Sequence, residues 1–470
     1  MPVKFAKRVL LAVGYRVPWP VWFLRFCGHY LPLGGRFKTF LTIKGISFDY
    51  TETELLPAMG HFKRENLEAA YKHDPWRRNA ILNMWENATG QTKLTTYPLD
   101  ICLPIADICN ARCNFCTSWL EGKKLLKLEQ LDGFEPLVRH AQAIGLAGHG
   151  EPLSHPQLAQ ILDRLAEWVD PRARCYVITN GVYLNKNLKA LLKARVVSYA
   201  FSLNAATAAT HETVMGLVPG TFDNVIGGIQ ALVARRDADP DLGISISISL
   251  VLNQENIHEV SEFIKLAERL RVDKVQLKTI AGAGGEVPGL NYHKLPPYLH
   301  PEFDRHKSEA MQAIADTCVE VQASPESWKT TVFPEEIVKT FAEVPPKMIT
   351  RAEALKSREV RDFYQAQQKY TSPTRGQNVK FVDDFDGENP YARSPRYACN
   401  APYRNLYLND FSFSMVPCCY MSVVPGHAPV IYDGSYDFFE AWNSPAMQTL
   451  RMRLRDGPFF NMCTKCPAEY

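Results

Sequence analysis

The sequence predicts an α/β protein: a partial (βα)6 TIM-like barrel with an N-terminal extension and a small Cys-rich C-terminal domain. Three observations predict it. Residues 99–285 alternate strand-like and helix-like runs, residues 1–98 have a biased composition, and residues 398–470 hold five of the twelve cysteines. Repeated βα units imply a parallel sheet with right-handed crossovers.

Six strand-like runs carry the barrel reading: Leu99–Pro104, Ala143–Gly148, Arg174–Ile178, Val197–Leu203, Gly243–Leu252 and Lys274–Thr279. Helix-like runs lie between them at Leu128–His140, Gln157–Trp168, Asn187–Ala194, Asn224–Arg235 and Ile257–Leu270. Six units are too few for a closed eightfold barrel, hence a partial one. Residues 286–397 read as a helical connector or insertion, with a helix over Pro301–Thr317 and a charged, helical stretch over Glu335–Tyr370.

The extension has two parts. Up to Phe48 there are eight Lys or Arg and no Asp or Glu, with Trp19, Trp22, Phe23, Phe26, Phe37 and Phe40 among them. A basic, aromatic arm over residues 1–48 suits an anionic membrane surface or a lipid-linked or phosphorylated substrate; the alternative is an extra packing layer with its aromatics buried. Residues 62–89 read as helical, with Asp74-Pro75 as a break.

Bulk properties exclude some classes. A net charge of +3 over 470 residues gives no nucleic-acid signal, so no nucleic-acid partner is expected. No apolar run reaches the roughly 18 residues of a membrane span. Twelve cysteines suggest metal or redox chemistry in a cytoplasmic setting, with peripheral membrane contact through the basic arm.

The decisive segment is Asp107-Ile-Cys109-Asn-Ala-Arg-Cys113-Asn-Phe-Cys116, directly after the first strand. Its Cys-x3-Cys-x2-Cys spacing puts three soft thiolates on one loop, where they suit an iron–sulfur cluster. A cubane has four irons, so three cysteines leave one iron open to a small molecule. Gly148-His-Gly150-Glu151-Pro152 follows the second strand, Thr179-Asn180-Gly181 ends the third, and Ser202-Leu203-Asn204 ends the fourth. In parallel α/β architectures ligands gather at these carboxyl ends.

This pattern resembles the radical S-adenosylmethionine (SAM) superfamily. The resemblance implies that Cys109, Cys113 and Cys116 hold a [4Fe–4S] cluster whose open iron chelates SAM. Reductive cleavage then yields a 5′-deoxyadenosyl radical that abstracts hydrogen from a substrate, with oxidation, cross-linking or epimerisation as the outcome. It further implies that Phe115, Gly148, Gly150, Glu151, Thr179, Asn180, Ser202, Asn204, Ser249 and Lys278 line the SAM site. Carbonyls of the Gly148–Pro152 stretch or the Glu151 side chain are expected to accept bonds from the SAM ammonium. The expected partners are a peptide or sugar-type substrate and a flavodoxin- or ferredoxin-like electron donor. A radical methyl or methylthio transferase and a non-catalytic Cys–metal scaffold are the alternatives.

The C-terminal cysteines resemble the auxiliary-cluster domain of these enzymes, SPASM in its long form and twitch in its short form. Cys399, Cys418, Cys463 and Cys466 are the expected ligands of one auxiliary [4Fe–4S] cluster, with Cys419 spare or replacing Cys418. A structural zinc site is the alternative. A redox-neutral reaction would need a hydrogen donor, for which Cys419 and Cys318 are candidates. Cys27, Cys102, Cys175 and otherwise Cys318 read as buried apolar residues.

Overall fold

The computed structural model describes residues 62–116, 124–148, 150–278, 297–323, 399–409, 413–418 and 429–456. Residues 1–48, the stretch 335–370, Cys419, Cys463 and Cys466 lie outside them, and so do the expectations attached to those positions.

Nine strands form one sheet among the described residues, in the order β7-β6-β5-β4-β3-β2-β1-β8-β9. The strands are β1 (Asp100–Leu103), β2 (Ala143–Leu146), β3 (Arg174–Thr179), β4 (Val196–Ser202), β5 (Ser245–Val251), β6 (Lys274–Lys278), β7 (Glu320–Ala323), β8 (Asn405–Asn409) and β9 (Ser414–Val416). All neighbours are parallel except β8 and β9. The six predicted strands are present and stand in sequence order. That order has a physical consequence: right-handed crossovers between sequential neighbours all fall on the same side, so the helices cover one face only. The result is an open, singly wound partial barrel.

Strand alternation gives the two faces opposite character. Ile101, Ile144, Val177, Phe201, Ile248, Val275 and their neighbours turn toward the helices and are buried in one continuous apolar core. Leu158–Trp168 and Val260–Leu270 supply amphipathic stripes to it, with Ile161, Leu162, Leu165, Phe263, Ile264 and Ala267 buried. The other face carries Asp100, Cys102, Tyr176, Ser198, Ser202, Ser247, Gln276 and Lys278, all half-buried. A closed barrel fills its interior with branched apolar side chains; this one keeps a polar lumen.

The sequence places boundaries at 98, 285 and 397, and the sheet crosses the last two. β7 extends it beyond residue 285, and β8 pairs in parallel with β1, Ile101 opposite Leu406. The described part of the C-terminal region thus shares the barrel sheet. It is docked further by the Tyr432 hydroxyl, which donates to the Gly133 carbonyl at 3.0 Å. Gly133 allows this approach, because a Cβ there would meet the Gly434 carbonyl oxygen at 2.3 Å.

The extension is likewise integrated where it is described. Its helices are Arg64–Ala70 and Pro75–Ala88, separated as expected at Asp74, which caps the second by accepting from the Arg77 amide. The Trp76 indole donates to the Ala141 carbonyl at 2.7 Å and the Asn83 amide to the Tyr403 carbonyl at 2.7 Å. Helix Phe303–Asp316 matches the expected 301–317 run.

Candidate active site

The cluster loop leaves β1 and returns beside its own start. Leu126 N–H donates to the Ile105 carbonyl and Asp107 N–H to the Lys124 carbonyl, both at 3.0 Å. Cys109, Cys113 and Cys116 lie half-buried on this loop at the carboxyl end of the strands. Burial pushes the Cys109 thiol up to about 12 and the Cys113 thiol well above its usual range, and each feels the charge of its neighbours. Burial thus keeps these thiols protonated unless a cationic centre binds them.

The donor set fits a cubane better than a single ion. Among the described residues no three His, Cys, Asp or Glu side chains converge as ligands of one ion do. Two thiolates on one zinc would sit about 3.8 Å apart, given Zn–S near 2.3 Å, whereas a cubane spreads its thiolates over separate irons. Three soft donors close enough to interact, on one loop, suit the latter.

The neighbouring strand ends brace this loop. A Cβ at Gly150 would meet the Ala106 carbonyl oxygen at 2.3 Å and the Ile108 carbonyl oxygen at 2.6 Å, so only glycine lets the turn lie against the loop backbone. Glu151 N–H donates to the Ile108 carbonyl at 2.9 Å.

Glu151 itself corrects the expectation. Its carboxylate is buried and turned inward, accepting from the Thr179 hydroxyl at 2.6 Å, the Asn180 N–H at 2.7 Å and the Leu153 N–H at 3.0 Å. It joins the ends of β2 and β3 instead of facing a ligand ammonium. Burial raises it to about 7, against those hydrogen bonds. Thr179 is correspondingly occupied: its hydroxyl donates to Glu151 and accepts from the Gly181 N–H. Asn180 does face the loop, its amide donating to the Asn110 side-chain carbonyl at 2.8 Å and lying 4.0 Å from the Cys109 sulfur.

Asn204 is a second correction. It is buried in a left-handed conformation with φ 61°. Its side-chain carbonyl accepts from the Val251 N–H at 2.9 Å and its amide contacts the Met215 thioether at 2.9 Å, so it ties β4 to β5. Ser249 is also buried, with its hydroxyl 3.3 Å from the Phe201 carbonyl. Gly148 is exposed at the end of β2, and Ser202 and Lys278 are half-buried on the lumen face, as is Phe115 on the loop. Burial alone lowers the Lys278 ammonium, with no carboxylate against it among the described residues.

Cys318 is exposed and precedes β7, at the opposite end of the parallel sheet from the cluster loop. Its N–H and the Thr317 hydroxyl both donate to Glu268. That position removes it as a hydrogen donor to chemistry at the loop, and its exposure corrects the buried reading. Cys175 is buried as expected, while Cys102 lies half-buried on the lumen face. Cys399 and Cys418 are half-buried against the core. Residues the motifs did not reveal include Asn110, Met215, Glu255 and Glu259. Glu255 accepts from the Asn114 amide within the cysteine motif at 2.6 Å, and buried Glu259 accepts from the Ala206 and Thr207 N–H groups.

A half-open parallel barrel with a three-thiol loop above its polar lumen defines a class of cluster-dependent enzymes. Residues 103–267 match the family described as the Radical SAM superfamily, and this segment carries a domain of that superfamily. The family implies a [4Fe–4S] cluster, SAM and an enzymatic role. The GTP 3′,8-cyclase of Aquifex aeolicus is 25% identical over 175 residues, 35% of this chain and 52% of that protein. GTP 3′,8-cyclase 3 of Mycobacterium tuberculosis is 27% identical over 186 residues, 37% of this chain and 47% of that protein. The chain therefore spans about half the length of these curated relatives. Among solved structures, Streptococcus suis SuiB bound to S-adenosylmethionine gives a TM-score of 0.49 at 14% identity, over 86% of this chain and 84% of that one. Among the described residues no helix is long and apolar enough to cross a membrane.

Proposed function

We propose that the chain cleaves SAM reductively at the cluster loop and abstracts hydrogen from a polar substrate held in the lumen. The observation that carries this reading is the lumen itself: hydroxyl, amide and phenol groups of Ser198, Ser202, Ser247, Gln276 and Tyr176 lie below a three-thiol loop. When bound, the cluster supplies an open iron for SAM and an electron for its cleavage. Cys109, Cys113 and Cys116 hold it. Asn180 and Gly150 fix the loop, Glu151 and Thr179 fix Asn180, and Gly148, Phe115 and Ser202 border the SAM site. Cys399, Cys418, Cys463 and Cys466 serve an auxiliary cluster.

Lys278 is a group at the lumen rim suited to an anion, because a desolvated ammonium with no carboxylate against it among the described residues gains from one. A hydroxyl-rich wall with such a lysine suits an anionic, carbohydrate-type substrate, and the relatives named as GTP cyclases are compatible with that class. A polar peptide also presents groups such a wall can bind.

The test is anaerobic turnover with a panel of sugar phosphates, nucleotides and peptides, scored by substrate-dependent 5′-deoxyadenosine. Deuterium moving from the true substrate into 5′-deoxyadenosine supports the reading. Lys278→Ala is expected to raise the KM for an anionic substrate about tenfold, the loss of one charge-assisted hydrogen bond. A panel-wide absence of deuterium transfer, with SAM cleavage intact, would contradict hydrogen abstraction.

A further inference from the structure

Helix Ala208–Met215 ends directly beneath the cluster loop. It closes on Gly216 at φ +58°, with Gly216 N–H donating to the Thr213 carbonyl and Leu217 N–H to the Glu212 carbonyl. Two terminal carbonyls remain, and the cluster loop takes them. Arg112 N–H donates to the Met215 carbonyl at 2.8 Å and Asn114 N–H to the Val214 carbonyl at 3.0 Å. These amides bracket Cys113, whose sulfur lies 3.4 Å from the Met215 thioether.

The same thioether is held from the other side by Asn204, which is pinned between the ends of β4 and β5. Its side-chain carbonyl accepts from Val251, and its backbone carbonyl accepts from the Asn256 amide at 3.0 Å. Gly216 has a second requirement besides its positive φ. A Cβ there would meet the Arg112 carbonyl oxygen at 2.7 Å and the Arg112 Cβ at 2.9 Å. Gly243 offers a built-in comparison, with φ +63° and nothing within 4 Å of a Cβ.

We propose that Met215 and Gly216 are positioning residues for the Cys113 corner of the loop, relaying the register of the β4 and β5 ends to it through Asn204. The proposal rests on the reading that this loop holds a SAM-binding cluster. The helix end acts as a seat: two backbone hydrogen bonds fix the height of Cys113, the thioether fixes its side chain, and the missing side chain at 216 leaves room for Arg112.

Three variants of the full chain, reconstituted anaerobically with iron and sulfide, test this. Iron content, thermal unfolding, midpoint potential and the part of the EPR signal that changes on adding SAM are measured for each. Wild type should show a SAM-responsive signal; its absence overturns the underlying reading and this proposal with it. Gly216→Ala should lose the SAM-responsive signal several-fold, while Gly243→Ala, carrying the same backbone strain, retains it. Met215→Leu, similar in volume, should unfold at the wild-type temperature and retain its iron, with a shifted potential and an altered SAM-responsive signal. Equal loss in both glycine variants, or a Met215→Leu protein indistinguishable from wild type in potential and signal, overturns the proposal while leaving the cluster reading intact.

Discussion

The helix-covered face of the sheet and the face turned to the lumen are built from the same strands, with side chains alternating between them. On one face Val177 stands opposite Tyr199, and Phe201, Ile248 and Val275 line up across β4 to β6, all buried. On the other, Tyr176 stands opposite Ser198, and Ala200, Ser247 and Lys274 line up across β4 to β6, all half-buried. The first face makes the sheet stable. The second gives up that stabilisation to keep a wettable space beneath the cluster loop. Stability and function are thereby divided by residue parity along each strand.

That division can be broken experimentally. The largest effect is expected at Phe201→Ala, a fully buried position on the covered face, which should cost about 3–5 kcal/mol in denaturant unfolding. A much smaller cost would mean that the core does not carry the fold.

A smaller effect comes from the buried acid of the lumen. Burial raises Asp100 from 3.8 to about 6, opposed by a 3.4 Å hydrogen bond from the Tyr176 hydroxyl. The folded chain therefore binds this proton more tightly than the unfolded chain. Its contribution to stability is full below about pH 4 and is lost as pH rises through about 6. The stability of wild type relative to Asp100→Asn should accordingly fall by on the order of 2 kcal/mol between pH 4 and pH 7. A difference that stays flat, or rises with pH, would contradict the assigned environment.

The smallest effect is expected at Ser247→Ala, the lumen-facing neighbour of Ile248. Equilibrium unfolding should move by no more than about 0.5 kcal/mol, while substrate affinity weakens. A loss comparable to that of Phe201→Ala would show that the lumen is a packed core.

The sequence was legible where local pattern decides. Apolar runs of strand length mark β1 to β6 to within a few positions, and the cysteine triplet marks the loop, because each signal lies within a few consecutive residues. It was illegible where distant segments meet. Nothing local in residues 405–409 states that they will pair with β1. The Gly-x-Gly-Glu turn offered a ligand-facing acid, yet the demand of buried Thr179 and Asn180 for an acceptor turns Glu151 inward. Asn204 likewise carries a polar side chain at a strand end, but its positive φ and its bond to Val251 make it a brace. Met215 offered no signal, since a methionine closing a short helix is usually core.

The central claim is that the three thiols hold a cluster able to cleave SAM. The direct measurement is 5′-deoxyadenosine formed by anaerobically reconstituted, dithionite-reduced protein supplied with SAM, alongside the Cys113→Ala variant. Formation by wild type and a background level in the variant is the predicted result. Wild-type protein that carries iron at the loop and releases no 5′-deoxyadenosine, or a Cys113→Ala protein as active as wild type, would contradict it.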